Sequence, residues 1–239
     1  MRKISLIIIL LLQLGVVYGQ GKKSKIANLR SFDERPLHFG FLLGLNTMDF
    51  TVYNTGQPIN EAGDVLYSDM LSLTPGLNIG IVTSYKLTND LNLRFLPGIS
   101  FGQRNLTFIR YDQAGNFIER EEASQIKSTF LEFPLLLKYS AFRMHNAKPY
   151  LIGGFNARYD LAKNKQDKLL LTSFDGYLEV GAGFDFYLTY FRFSVEAKAS
   201  IGLGNVLNPK GTGEPEDLIY TEALDRLRSR IFCLTFYFE

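Results

Sequence analysis

From Phe39 to the last residue, one pattern dominates this sequence: apolar residues alternate with small or polar ones, in eight separate stretches. Period-two alternation describes a strand with two unlike faces. The first stretch carries Phe39, Phe41, Leu43 and Leu45, with Gly40, Gly44 and Asn46 between them. The second, about Leu73 to Leu87, sets Leu77, Ile79, Ile81 and Tyr85 against Asn78, Gly80, Ser84 and Lys86. The third runs from about Leu91 to Phe108, the fourth from Ser128 to Ser140 and the fifth, least regular, from Lys148 to Asp160. The sixth spans about Gly176 to Leu188, the seventh Phe191 to Leu203, and the eighth runs from about Arg228 to Glu239. In the seventh, Phe193, Val195, Ala197, Ala199 and Ile201 face one way, and Arg192, Ser194, Glu196, Lys198 and Ser200 the other.

The links between these stretches also alternate. Thr88-Asn89-Asp90, Phe142 to Ala147 and the neighbourhood of Thr189 are short, whereas 53–72, 109–127, 161–175 and 205–227 are long and polar. An even number of antiparallel strands, with short turns at one end and long loops at the other, is the layout of an outer-membrane barrel. The expected fold is therefore all-β, an eight-stranded antiparallel up-and-down transmembrane β-barrel with both termini periplasmic. Strands of about 12 residues exceed the ~9–11 needed to cross a bilayer at a tilt. A soluble barrel of the lipocalin type also alternates, with its apolar face inward. Three features favour the membrane. The apolar face is almost free of charge. The opposite face is rich in glycine (Gly40, Gly44, Gly80, Gly98, Gly102, Gly181, Gly183, Gly202), which suits a crowded small lumen. Aromatics such as Tyr85, Tyr139, Tyr159 and Phe238 gather near strand ends, as interfacial girdles do.

The amino terminus fits export. Met1-Arg2-Lys3 is basic, Ile4 to Val17 is uncharged, and Val17-Tyr18-Gly19 offers a cleavage site. Residues 1–19 read as a signal peptide, since an apolar run of about 14 residues is short for a membrane span. Residues 20–36 read as a flexible basic periplasmic leader and 37–239 as the barrel. Of the 26 basic residues, Arg2 and Lys3 lie in the signal, which leaves 24 against 24 acidic ones. A neutral chain gives no reason to expect a nucleic-acid partner. Cys233 is the only cysteine, so no intramolecular disulfide can form.

The face opposite the lipid carries charges of both signs: Arg94, Arg104, Glu132, Lys138, Arg158, Glu179, Asp185, Arg192, Glu196 and Lys198. Buried charges must be paired, so these are expected to form a network that fills the lumen rather than a conducting or catalytic channel. No catalytic, cofactor-binding or metal-binding residues are expected. The two histidines, His38 and His145, fall at the periplasmic rim without a cluster of further ligands and read as surface residues. The glycines of Gly181-Ala182-Gly183 follow the strand alternation and do not form a phosphate cradle. Glu119 to Glu122 and Glu214 to Asp217 are expected in solvated outer loops. No cofactor and no small-molecule substrate is indicated. Lys22, Lys23, Lys25, Arg30 and Arg35 make the leader basic and are candidate contacts for a periplasmic partner.

The stretch Arg35-Pro36-Leu37-His38-Phe39-Gly40-Phe41-Leu42-Leu43-Gly44-Leu45-Asn46, continuing through Met48-Asp49-Phe50, resembles the opening of PorT-family proteins of the Bacteroidetes. Leu131-Glu132-Phe133-Pro134-Leu135-Leu136-Leu137-Lys138-Tyr139 and Lys148-Pro149-Tyr150-Leu151-Ile152-Gly153-Gly154 resemble stretches of the wider group of small outer-membrane barrels from these bacteria. The resemblance implies a part in type IX protein secretion, often tied to gliding motility, with other secretion-system proteins and outer-membrane lipid as partners. It implies no catalytic residues. The rival readings are a surface-binding or adhesion barrel acting through its outer loops, a barrel lipase or acyltransferase, and a soluble ligand-binding barrel.

Overall fold

The structure is a computed structural model that describes residues 28, 29, 31–59, 63–69, 73–162, 171–208 and 220–239. The signal peptide expected over 1–19 and residues 20–27 and 30 of the expected leader lie outside the described residues. A short 3-10 turn, Phe32–Glu34, precedes ten strands: β1 (Leu37–Asn54), β2 (Val65–Asp69), β3 (Pro75–Lys86), β4 (Leu91–Phe95), β5 (Gly98–Tyr111), β6 (Phe117–Ser140), β7 (Ala147–Asp160), β8 (Phe174–Tyr187), β9 (Arg192–Gly202) and β10 (Leu224–Phe238).

Every pairing is antiparallel, and the sheet closes on itself. β1 pairs with β10 on one side, from Phe41 opposite Phe238 to Tyr53 opposite Arg226, and with β3 on the other. Between them the order runs β10, β9, β8, β7, β6 and then β4 with β5. β4 and β5 are one stave. The register of β3 is continuous across both, with Thr83 opposite Phe95 and Gly80 opposite Gly98. Pro97 has no N–H to give the ladder, which is why the strand is divided there. Its carbonyl still accepts from the Ile81 N–H at 2.9 Å, and Leu96 N–H donates to Pro134 O at 3.1 Å. The barrel thus has eight staves, and β2 is a short addition beside the outer part of β5.

The alternation points outward as an apolar surface. Phe39, Ile81 and Phe155 are more than 60% exposed, while Arg94, Arg158 and Glu179 on the other face are 0% exposed. A soluble barrel would have the opposite polarity, with apolar groups hidden and charges in water. An apolar exterior around a polar interior is stable where lipid replaces water, since only a closed barrel leaves no unpaired backbone edge in hydrocarbon.

The three short turns form as expected. In the first, Leu87 N–H donates to Leu91 O at 2.9 Å and the Thr88 hydroxyl accepts from Leu91 N–H at 3.1 Å. The second places His145 at φ 57°, and the third joins Leu188 N–H to Phe191 O at 3.0 Å.

The long links differ from expectation. The stretch 109–127 is mostly strand: β5 and β6 continue as a hairpin in which Thr107 faces Glu122 and Tyr111 faces Phe117. Its turn is held by Asp112, whose carboxylate accepts from Asn116 N–H at 2.7 Å, and by Gly115 at φ 83°. Glu119 and Arg120 are therefore strand residues, not loop residues. The reason is that polar side chains count against a strand in lipid but not against one above it. The link 205–227 is likewise no solvated loop throughout. Val206, Leu207, Ala223, Leu224 and Leu227 are buried with Phe50, Leu66, Leu106, Phe108 and Ile126 in an apolar cluster inside the outer end of the barrel. β10 accordingly begins at Leu224, earlier than the expected Arg228.

Ala197 lies midway along the outward face of β9, opposite Ala182 and Leu234. We expect Ala197→Arg to cost about 2–4 kcal/mol in lipid, as cations do near the bilayer midplane, and Ala197→Leu to be nearly neutral. Denaturant unfolding of the protein in vesicles measures both.

Candidate functional site: a charged lumen closed at both ends

All ten charges expected in the lumen are buried there. Period-two alternation is what brings them together. β8 aims Glu179 and Asp185 inward, β9 aims Arg192, Glu196 and Lys198, and β4, β6 and β7 supply Arg94, Lys138 with Glu132, and Arg158.

They group in two layers. Nearer the short turns, Arg94 contacts Glu196 at 3.2 Å and Glu239 at 2.9 Å. Arg192 also pairs with Glu239, and it lies 3.9 Å from Asp185. Lys138 donates to both Asp185 oxygens at 2.7 Å. The Ser194 hydroxyl donates to Asp185 at 2.6 Å and the Tyr237 hydroxyl to Glu196 at 2.5 Å. Arg94 and Lys138 further lie 4.2 and 3.7 Å from the ring centres of Tyr237 and Tyr150. Three cations thus face three carboxylates.

The second layer lies toward the long links. Arg158 contacts Glu132 at 3.1 Å and Glu179 at 3.0 Å, and Lys198 contacts Glu179 at 2.8 Å. Ser100 donates to Glu132, and Asn156 and Ser200 donate to Glu179, all between 2.6 and 2.8 Å. Two cations face two carboxylates. Balanced charge with added neutral donors is what allows ionised groups to sit out of water. The serines donate to carboxylates that cations already hold, an arrangement that fixes the carboxylates rather than activating a hydroxyl.

Arg104 stands apart from the other nine. Among the described residues no carboxylate lies in ion-pair contact with it. Its guanidinium donates to Ser128 Oγ at 2.9 Å and lies 4.4 and 5.0 Å from the ring centres of Phe50 and Phe130. Cation–π contact and one hydrogen bond take the place of an anion. A cavity of about 10 Å³ between Arg104, Asp160, Asp175 and Tyr177 is just large enough for one water molecule.

Glu239, the last residue, was absent from the set expected in sequence, yet its side chain is 0% exposed and binds two arginines. The signal existed: Phe232, Leu234, Phe236 and Phe238 face out, so 239 must face in. Asp175 was also missed. It is buried and accepts from Gly204 N–H at 3.1 Å.

Both ends of the lumen are covered. The apolar cluster around Leu106 and Leu227 fills the outer end. At the other end, residues 28, 29 and 31–36 lie against the rim, so this part of the expected flexible leader is docked. Phe32 stacks on His38 at 4.3 Å and meets Tyr187 edge-on at 6.3 Å. Asp33 accepts from the Tyr187 hydroxyl at 2.7 Å and lies 3.8 and 3.9 Å from Arg143 and Lys148. Lys86 donates to Asp33 O at 2.7 Å, and Arg143 donates to the Asn28 and Leu29 carbonyls. Arg143 also lies 3.6 Å from the Tyr187 ring centre. His38, expected at the surface, is buried because Phe32 covers it; His145 is exposed. Of the basic residues proposed to meet a partner, Arg35 is exposed, while Lys22, Lys23, Lys25 and Arg30 lie outside the described residues. Among the described residues no group of three or more His, Cys, Asp or Glu side chains is placed to hold a metal ion.

Residues 19–208 match the family model described as an outer membrane protein beta-barrel domain. The chain belongs to this family. It is an outer-membrane protein whose apolar exterior contacts membrane lipid. Similar solved structures are the outer membrane protein OprG from Pseudomonas aeruginosa (16% identity, 84% of this chain and 91% of that one, TM-score 0.37) and Neisserial surface protein A (13%, 85% and 99%, TM-score 0.40). A third is Ail, the attachment invasion locus protein of Yersinia pestis, in complex with the heparin analogue sucrose octasulfate (15%, 84% and 96%, TM-score 0.36). No curated protein matches the chain.

Two outcomes follow for this barrel. Glu179→Gln strands Lys198, leaves Arg158 with Glu132 alone, and should lower stability by about 3–5 kcal/mol, with part recovered in Glu179→Gln/Lys198→Met. Denaturant midpoints in detergent micelles measure the difference. In planar bilayers the folded chain should give no steady conductance steps, since the ion-paired layers occupy the lumen.

Proposed function

We propose that this outer-membrane barrel is a non-enzymatic component needed for assembly or operation of the type IX protein secretion system, and that it works through its periplasmic rim and amino-terminal tail. The observation that carries the reading is the docked segment formed by residues 28, 29 and 31–36. It covers the lumen end that bears the short turns, which face the periplasm in barrels of this layout. A filled lumen offers no path for a protein, so the parts left to act are the rim, the tail and the outer strands. The likeness of Arg35 to Phe50 and of the two later stretches to PorT-family proteins and their wider group supports the secretion role. Exposed Arg35, with Lys22, Lys23, Lys25 and Arg30 before it, would give periplasmic or outer-membrane partners a basic docking strip.

A second reading, a surface-binding barrel, is favoured by one feature. The β2–β5–β6 extension carries Tyr67 and Tyr111 edge-to-face at 5.8 Å, between two open cavities of about 480 and 530 Å³. Aromatic pairs of this kind supply rigid contact area for a ligand.

The two readings part in a strain lacking the gene. Under the secretion reading, cargo proteins accumulate in the periplasm, and the native gene releases them. A chain with Lys22, Lys23, Lys25, Arg30 and Arg35 changed to serine reaches the outer membrane folded but fails to restore release. Tyr67→Ala/Tyr111→Ala restores it fully. Unchanged secretion in the deletion strain, with unrelated barrels at normal levels, rules the role out.

A further inference from the structure

β10 changes character partway along its outward face. From the short-turn end it reads Phe238, Phe236, Leu234 and Phe232, then Arg230, Arg228 and Arg226. Pairing sets the height of the change. Phe232 is level with Ala199 of β9 and Thr47 of β1. Arg230 is level with Ile201 and Asp49, and Arg228 with Thr51. Ile201 and the following Leu203 are themselves exposed, so the lower arginines flank the upper margin of the lipid-facing band rather than standing far above it. Successive outward residues are ~7 Å apart along a strand, which makes the three guanidinium groups a short ladder. Tyr53, 45% exposed, sits beside its upper end, with Arg226 6.0 Å from its ring centre.

This cationic ladder has a carboxylate beside it among the described residues, Asp49 opposite Arg230, and makes no ion pair. No carboxylate there forms an ion pair with any of the three. Asp49, the obvious candidate opposite Arg230, turns its Oδ1 to the Phe50 N–H at 2.7 Å. The Nε of Arg228 is buried and has no acceptor. The contrast with the lumen is complete, where every arginine but one meets a carboxylate. Cations left unpaired at the edge of an apolar band, on the end of the barrel that bears the long links, face the headgroups of the outer leaflet.

We propose that Arg226, Arg228 and Arg230 form a binding site for the phosphate groups of a phosphorylated glycolipid of the outer leaflet, with its acyl chains against Phe232, Ile201 and Leu203. Guanidinium groups suit phosphate because they offer paired N–H donors in one plane and stay charged at a lipid surface. The acyl chains continue the apolar contact that the barrel already makes with lipid. The combination commits the site to a lipid rather than to a soluble anion.

The test uses the full chain, purified folded in detergent, with unboiled gel mobility as the check on folding. Native mass spectrometry compares phosphorylated lipid A, the same lipid after phosphate removal, and phosphatidylglycerol. The native chain should prefer phosphorylated lipid A over its phosphate-free form on the order of tenfold, about 1.4 kcal/mol. Folded Arg226→Gln/Arg228→Gln/Arg230→Gln should lose that preference, and the milder Arg230→Gln should lose part of it. The site is overturned if the native chain does not discriminate, if the folded triple variant keeps the full preference, or if phosphatidylglycerol binds as tightly as phosphorylated lipid A.

Discussion

Ionised side chains in the middle of a membrane persist only if their charge is met, here by an opposite charge for nine of the ten expected lumen charges and by two phenyl rings and a hydroxyl for Arg104, and the rest of this barrel is arranged around that demand. Glu132, Glu179, Asp185, Glu196 and Glu239 face Arg94, Lys138, Arg158, Arg192 and Lys198 across a lumen too narrow to admit bulk water. The pairs join staves remote in sequence. Arg94 on β4 reaches β9 and the carboxyl-terminal residue, and Lys138 on β6 reaches β8. They therefore cross-link the barrel wall from within, while backbone hydrogen bonds join it edge to edge. The small residues of the inner face are part of the same arrangement. A Cβ on Gly181 would stand 2.5 Å from Ala197 O and one on Gly183 2.5 Å from the Tyr150 ring, so larger residues there would collide with the β9 backbone and with the ring that Lys138 packs on.

With the lumen filled, the surfaces are the parts of the barrel left to meet other molecules. The periplasmic end is covered by Phe32 and Asp33, which use a stacked ring, a buried histidine and two rim cations to hold an amino-terminal segment in place. The outer end is a dry cluster built where β1, β5, β6 and β10 rise above the lipid. The lipid-facing wall between them is apolar over most of its height, and on β10 three arginines follow four apolar residues. Tail, outer hairpin and arginine ladder are thus three chemically different surfaces on one closed scaffold: basic, aromatic and cationic at the lipid boundary.

Much of this was legible in the chain because period-two alternation is a local property. Strand number, the antiparallel meander and the grouping of all ten lumen charges on one face follow from which residues are two apart and from the spacing of the turns. Glu239 was legible by the same rule and was overlooked. The true extents of β5, β6 and β10 were not, because polar strand extensions above the membrane carry no compositional contrast with loops. The burial of His38 was not legible either, since it depends on Phe32 folding back from outside the barrel.

Sequence alone determined that the wall is an apolar-outside barrel and which side chains enter its lumen: alternation separates the two faces, and the charge-free apolar face, the glycines opposite it and the aromatics at strand ends say which face meets lipid. Only the tertiary structure decided which charges pair, that Arg104 rests between phenyl rings instead of against a carboxylate, and that both ends are closed. Those outcomes depend on inter-strand register and on contacts between different elements, 154 positions apart for Tyr187 with Asp33, which no local pattern encodes.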